Sequence, residues 1–159
     1  MDSEQQKQTK DFFDKFSQEW KKSALSEADD SVNMIKQRNH FVEFCSKTLH
    51  KNAKTLDIGC GTGDLVLNLL ENGLDAYGID FSPEMIKIAK NSAQNLSLQH
   101  ENFSHISFFD YNSNDNFDLI SANGFIEYIS FSELEFFLKR SDELLSKDGL
   151  LVFGSRNRL

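Results

Sequence analysis

The sequence predicts an α/β fold, a doubly wound parallel sheet in three α/β/α layers. Three observations carry that expectation. From Lys54 onward, short apolar runs of strand length alternate with longer segments of helical apolar spacing. Carboxylates stand at or near the ends of successive predicted strands, at Asp57, Asp80 and Asp110. Leu150–Phe153 is apolar at every position, as a strand covered on both faces must be.

Each element follows from its own residues. Residues 1–10 are polar and are expected to fray. Phe12, Phe13, Phe16 and Trp20 then share one helical face. Residues 21–31 lack periodicity and read as a loop, with Glu27–Asp30 its solvated acidic part. A second helix is expected over about 32–49, with Val32, Ile35, Val42, Cys45 and Leu49 as its apolar points. Residues 1–50 therefore read as a helical extension, and residues 51–159 as the α/β domain. Thr55–Ile58 is the first strand, closed by Gly59, and Gly61–Gly63 is a turn. Leu65, Val66, Leu69 and Leu70 form a helical face that stops at Asn72-Gly73. Ala76–Ile79 is the second strand, ending at Asp80. Ser82 is the expected N-cap of the next helix, with Pro83 at a position where its missing N–H costs nothing. Met85, Ile86, Ala89 and Ala93 mark that helix. Ile106–Phe109 and Phe117–Ser121 are the expected third and fourth strands. Ser132 and Glu135 form a capping-box pattern ahead of Leu134, Phe137, Leu138, Leu144 and Leu145. Asp148-Gly149 turns into the fifth strand, Leu150–Phe153, where the sheet is expected to end.

Composition bounds the function. The chain has 159 residues, which suits one domain, and 39% hydrophobic residues with 15 Phe supply a core. The 25 acids against 17 bases give a net charge of −8, which argues against a nucleic-acid partner. The 2 Cys, Cys45 and Cys60, and the 4 His show no zinc-ligand spacing, so no metal site is expected. Met1–Asp11 has no apolar core of a signal peptide, and no run approaches the roughly 18 apolar residues of a membrane helix. The expected location is cytoplasmic, with no membrane partner.

The informative segment is Leu56-Asp57-Ile58-Gly59-Cys60-Gly61-Thr62-Gly63-Asp64. Glycines at alternate positions allow a tight turn from strand to helix and a close approach of ligand to backbone. The helix start just beyond suits a negative group. The spacing is G-x-G-x-G, and Asp64 stands where a dinucleotide binder has its third glycine. Asp57 precedes the loop inside its strand, and Asp80 ends the next strand, placed to take ribose hydroxyls.

On these residues the sequence resembles the class I S-adenosylmethionine-dependent methyltransferases, whose fold is Rossmann-like. LDIGCGTGD is similar to the family's first motif and YGIDFSPEMIKIAK to its second. Phe109-Asp110 is similar to the acidic position after strand three, FDLISANGFIEYI to the fourth-strand motif, and LLSKDGLLVFGSRNR to the fifth-strand region. The resemblance implies S-adenosyl-L-methionine as cofactor. It implies that Asp57 holds the methionine ammonium, directly or through water, and that Gly59, Cys60, Gly61 and Gly63 shape the loop against it. Asp80 would take the ribose hydroxyls, with Phe81 and Met85 against adenine. Asp110 would accept from the adenine amino group with Tyr111 beside it, and Asn123 would offer its carbonyl to the ammonium.

Competing roles stay open for several of these. Met85 also sits at core spacing, Cys60 suits a small filler, and Phe16 and Trp20 suit packing as well as substrate contact. Arg38 suits either a solvated surface or the cofactor carboxylate. No general base declares itself. The family often has His after the Glu of its fourth-strand motif, where this chain has Glu127-Tyr128. His40 and Tyr128 are the remaining candidates.

The family sheet usually has two further strands as an antiparallel hairpin beyond strand five. Their absence here is expected to leave strand five with an open edge. Truncation of a longer chain explains this, and so does a homo-oligomer pairing through that edge. The Ser155–Leu159 ending resembles methyltransferases of surface-polysaccharide synthesis, which implies a small-molecule or carbohydrate-like acceptor. A catalytically inactive cofactor-binding or scaffold domain is the alternative, and a NAD-dependent oxidoreductase a weaker one.

Overall fold

A computed structural model describes residues 4–25 and 30–155, with side chains for 7–19 and 36–155. The helices are α1 (Glu4–Leu25), α2 (Asp30–Ser46), α3 (Asp64–Glu71), α4 (Pro83–Asn95) and α5 (Phe131–Leu144). The strands are β1 (Lys54–Ile58), β2 (Asp75–Asp80), β3 (Phe103–His105), β4 (Phe117–Asn123) and β5 (Leu145–Gly154). All pairings are parallel, in the order β3-β2-β1-β4-β5. The chain steps outward from β1 to β3, then returns to place β4 against the other side of β1. That reversal opens a crevice at the carboxyl ends of β1 and β4, the usual place for a ligand in such a sheet.

Two apolar layers hold the sheet between helices. On one face, Leu65, Val66 and Leu69 of α3, Ile86, Ala89 and Ala93 of α4, and Val42 of α2 pack against Ala76 and Leu119. On the other, Phe137 and Leu144 of α5 cover Leu56, Ile58, Ile79 and Ile120. Period-two alternation along β1 and β4 sends neighbouring side chains to opposite layers.

The expected fold class is present, and several boundaries differ. The third strand is Phe103–His105 rather than Ile106–Phe109. Asn102 Nδ2 donates to the Ala76 carbonyl at 2.9 Å, and Phe103 is buried against Gly63 and Gly78, which fixes the pairing earlier than apolarity suggests. The strand is an outer one, so Ser104 and His105 stay exposed and no apolar alternation marks it. The more apolar run after it turns away from the sheet. The capping box is Ser130 with Glu133, two residues before the expected pair: Ser130 N donates to Glu133 Oε2 at 2.7 Å and Glu133 N to Ser130 Oγ at 3.4 Å. Both Ser-x-x-Glu segments, Ser130–Glu133 and Ser132–Glu135, satisfy the pattern. α1 includes residues expected to fray and extends to Leu25 through part of the expected loop. The rest of that loop, residues 26–29, lies outside the described residues, as do the side chains of Trp20, Val32 and Ile35 and the last residues, 156–159. α2 ends at Ser46, before Leu49, and β4 and β5 are longer than expected. Among the described residues, no helix is long and apolar enough to cross a membrane.

Phe137 is fully buried and meets the Phe153 ring of β5 at 6.0 Å and the Phe108 and Phe125 rings of the cleft wall, each at 5.5 Å. Phe137→Ala is expected to destabilise the protein by about 3–5 kcal/mol, measured by denaturant unfolding.

Candidate ligand cleft

The crevice is a cleft of about 1200 Å³, its open mouth included. Asp57, Gly59, Cys60, Gly61 and Asp80 form one wall, and Asn123–Phe125 form part of another. Gly59 and Gly61 have φ of 70° and 54°, in the left-handed region that glycine enters without strain. The amides of Gly59 and Cys60 both donate to the Ile79 carbonyl, at 2.9 and 3.0 Å, which ties the loop to the end of β2. A Cβ on Gly61 would meet nothing within 4 Å, so that position opens onto free space. Gly63 has a different job. A Cβ there would come within 2.7 Å of the Phe103 ring and 2.9 Å of Ala89 Cβ, and Gly63 is not among the cleft residues.

Both carboxylates are buried. Asp57 is 6% exposed and accepts from Ser121 Oγ at 2.6 Å, across the β1–β4 pairing. Asp80 is 7% exposed and accepts from Gly61 N at 2.9 Å and Ser82 N at 2.8 Å. Burial pushes Asp57 up to about 7, against the lowering bond from Ser121 and helped by the charge of Asp80. Burial likewise raises Asp80 to about 6; the two backbone bonds lower it, Asp14 raises it and His105 lowers it. Each oxygen of Asp80 already accepts one amide proton, which leaves one lone pair apiece for a ligand. The Cys60 thiol is pushed well up by burial and by its acidic neighbours, which keeps it protonated and inert. Its sulfur fills the space above Gly78, where a Cβ would sit 2.8 Å away. Among the described residues no group of three or more His, Cys, Asp or Glu could hold a metal ion.

The helical extension roofs the cleft. Ser82 Oγ donates to Asp14 of α1 and also accepts from Met85 N at 3.2 Å, capping α4. Thr9 and Phe13 of α1 line the cleft, and the Phe13 ring meets the Tyr128 ring edge-on at 5.5 Å. α2 supplies Arg38 and Asn39. Asn123 Nδ2 donates to Asn39 Oδ1 at 3.1 Å, and Arg38 Nη1 donates to Glu127 Oε1 at 3.0 Å. The segment 106–109, expected as a strand, is instead a wall of the cleft.

Of the sequence-predicted site residues, Asp57, Gly59, Cys60, Gly61, Asp80, Phe81, Met85 and Asn123 meet at this cleft. Asp110 and Tyr111 do not line it. Asp110 is exposed, and Tyr111 packs with the α5-side core, because strand three ends at His105 and the chain turns before reaching them. Of the base candidates, Tyr128 lines the cleft, whereas His40 is exposed on α2 beside Glu43. Thr9 and Asn39 join the cleft without any local sequence signal, Phe13 carries only that of a helical apolar face, and Glu127 stands in the fourth-strand motif without an assigned role.

Comparison with known proteins agrees with this geometry. Residues 56–151 match a family model described as a methyltransferase domain. The chain is 32% identical over 108 residues to a ubiquinone biosynthesis O-methyltransferase of Pelagibacter ubique, covering 68% of this chain and 44% of that protein. It is 38% identical over 110 residues to a release factor glutamine methyltransferase of Buchnera aphidicola, covering 68% of this chain and 38% of that protein. This chain therefore spans less than half of either relative. The fold is shared with an S-adenosylmethionine-dependent methyltransferase from Clostridium acetobutylicum, at a TM-score of 0.67 and 24% identity over 89% of this chain and 56% of that one.

The raised acids set a pH dependence. Unfolded, both carboxyls titrate near 4; folded, they titrate near 7 and 6, so the folded state holds more protons between these values. Their contribution to stability is full below pH 4 and is lost as pH rises through 6 to 7. The thermal midpoint of the ligand-free protein should therefore fall between pH 5 and pH 8, and Asp57→Asn should flatten that fall by a few degrees (on the order of 2–4 °C per kcal/mol).

Proposed function

The chain belongs to the class I S-adenosylmethionine-dependent methyltransferase family, and from that premise we propose that it transfers a methyl group to a small-molecule acceptor, carbohydrate-like compounds among the candidates. The observation that supports this reading best is the sharing of one cleft by Asp57 and Asp80, on either flank of the Gly59–Gly61 loop. The residues fit an adenosyl group joined to an amino acid. Open space and a left-handed backbone at Gly61 admit a ligand against the main chain. Two desolvated carboxylates suit hydroxyl and ammonium donors, and Phe81, Met85, Ile106 and Phe108 offer apolar surface to a base.

When bound, the cofactor supplies an electrophilic methyl group activated by its own sulfonium charge. This chain's residues supply position. Asp80 would accept hydrogen bonds from the two ribose hydroxyls on the lone pairs left by Gly61 and Ser82. Asp57, oriented by Ser121, would hold the ammonium in its ionised form. The Asn123 carbonyl would accept a further hydrogen bond from the ammonium, and Phe81 and Met85 would offer apolar surface to the adenine ring. The Asp110 and Tyr111 contacts expected for adenine are not part of this reading, because both residues lie outside the cleft. Orientation of this kind lowers a bimolecular barrier by about 7–11 kcal/mol in favourable cases. The outer edge of β5, with Leu150 and Phe153 exposed, is where a further strand or a second copy of the chain would pair.

Titration calorimetry with S-adenosylhomocysteine tests the binding step. The wild type should bind, and Asp80→Ala should weaken binding about 10–100-fold, the worth of hydrogen bonds to a charged group. Affinity should rise from pH 5 to pH 7.5 with proton release, because the ammonium favours ionised Asp57. No heat from a folded wild type would remove the reading. Binding without labelled product from extract and methyl-labelled cofactor would instead favour the inactive binding domain.

A further inference from the structure

The proposed nucleoside contacts leave part of the cleft unassigned. Arg38 of α2 and Glu127, in the single 3-10 turn Ile126–Tyr128 after β4, meet there at 3.0 Å. Their side chains are only 14% and 15% exposed, so both charges are largely out of water. Such a pair barely recovers its desolvation cost, and apolar residues of similar volume hold a fold as well or better. Stability alone therefore gives a weak reason for the pair. Among the described lining residues Arg38 is the single cation, set against Asp57, Asp64, Asp80 and Glu127. Its stem lies over the end of β5, where a Cβ on Gly154 would sit 2.8 Å from Arg38 Cδ. Asp80 ends β2, and three strand steps separate β2 from β5. At ordinary strand spacing that is about 14 Å, so the pair stands well away from the ribose carboxylate.

We propose that Glu127 is the acceptor-facing carboxylate of the cleft, taking a hydrogen bond from an O–H or N–H on a flat, apolar acceptor, and that Arg38 positions it. The proposal rests on the methyltransferase reading above. The guanidinium holds one oxygen of the Glu127 carboxylate, and both side chains line the cleft beside Tyr128. The neighbouring wall is aromatic, with the Phe13 and Tyr128 rings meeting edge-to-face at 5.5 Å. A flat apolar body fits that wall better than a polyhydroxylated one. The excess of acids over the lone Arg38 disfavours an anionic acceptor, which would face unpaired like charge.

The test uses the full chain saturated with S-adenosylhomocysteine, and phenol and anisole as probes. They share a ring, and only phenol has a donor. Ligand-detected NMR titration should show the wild type preferring phenol roughly fivefold to tenfold. The double variant Arg38→Met with Glu127→Leu replaces the pair by apolar residues, should keep its thermal midpoint, and should lose the preference. Equal affinity of the wild type for both probes overturns the proposal, as does a preference that survives in the folded double variant. A double variant that loses S-adenosylhomocysteine tenfold but keeps 5′-methylthioadenosine, which lacks the amino acid, also overturns it, by assigning the pair to the amino-acid end of the cofactor. Failure of the wild type to bind S-adenosylhomocysteine is read in the separate calorimetric titration and removes the underlying methyltransferase reading instead.

Discussion

Two carboxylates kept out of water at the ends of adjacent parallel strands are the constraint on which the rest of the molecule depends. Asp57 and Asp80 are each less than a tenth exposed, yet among the described residues neither forms an ion pair with Lys or Arg. Hydrogen bonds from Ser121, Gly61 and Ser82 carry part of the burden, and burial still wins in both pKa balances. A fold arranged for stability alone would place apolar residues here. The arrangement makes sense when a ligand brings the missing donors and positive charge. The cost of burying both carboxylates is then offset by the ligand that binds them.

The neighbouring elements are attached to this pair rather than merely near it. The amide of Ser82 holds Asp80, while its hydroxyl caps α4 and bonds Asp14 of α1. One residue thus links the Asp80 carboxylate, the start of a helix and the roof of the cleft. Ser121 does the corresponding work on the other flank, since its partner Asp57 lies on β1 and its own strand leads to Asn123. From Asn123 the network passes to Asn39 of α2. Displacement of either roof helix would therefore disturb a carboxylate's hydrogen bonding and not only its exposure to solvent.

What the sequence made legible follows the range of the interactions. The loop, its flanking strands and both acids were readable because glycine spacing, strand ends and an N-cap are all local features within Leu56–Met85. The third strand was misread because pairing at the sheet's outer strand depends on Asn102 reaching Ala76 and on Phe103 filling the space beside Gly63. Neither contact leaves a pattern in neighbouring residues. The apolar run Ile106–Phe109 looked like a strand because it is buried, but it is buried as a cleft wall. Asp110 and Tyr111 followed that error, since their expected roles required a strand ending beside them. The capping box was ambiguous by two residues because Ser130 and Ser132 each precede an acid at the right distance.

The same division separates the two halves of the cleft. The part around Asp57 and Asp80 is assembled from one β–loop–α–β run, so its geometry is set by backbone that folds as a unit. The part around Arg38 and Glu127 is drawn from α1, α2 and the turn after β4, and its polar contacts join residues 84 and 89 positions apart. Backbone geometry tolerates little change where amides and left-handed glycines make the contact. Side-chain pairs across helices can be exchanged without moving a strand. Such a division lets an acceptor end change without moving the glycine loop, in keeping with the different acceptors named for two relatives of this chain. The Arg38–Glu127 pair is held by side-chain contacts of the second kind. Its chemistry must be read from this chain's own contacts, not carried over with the glycine loop.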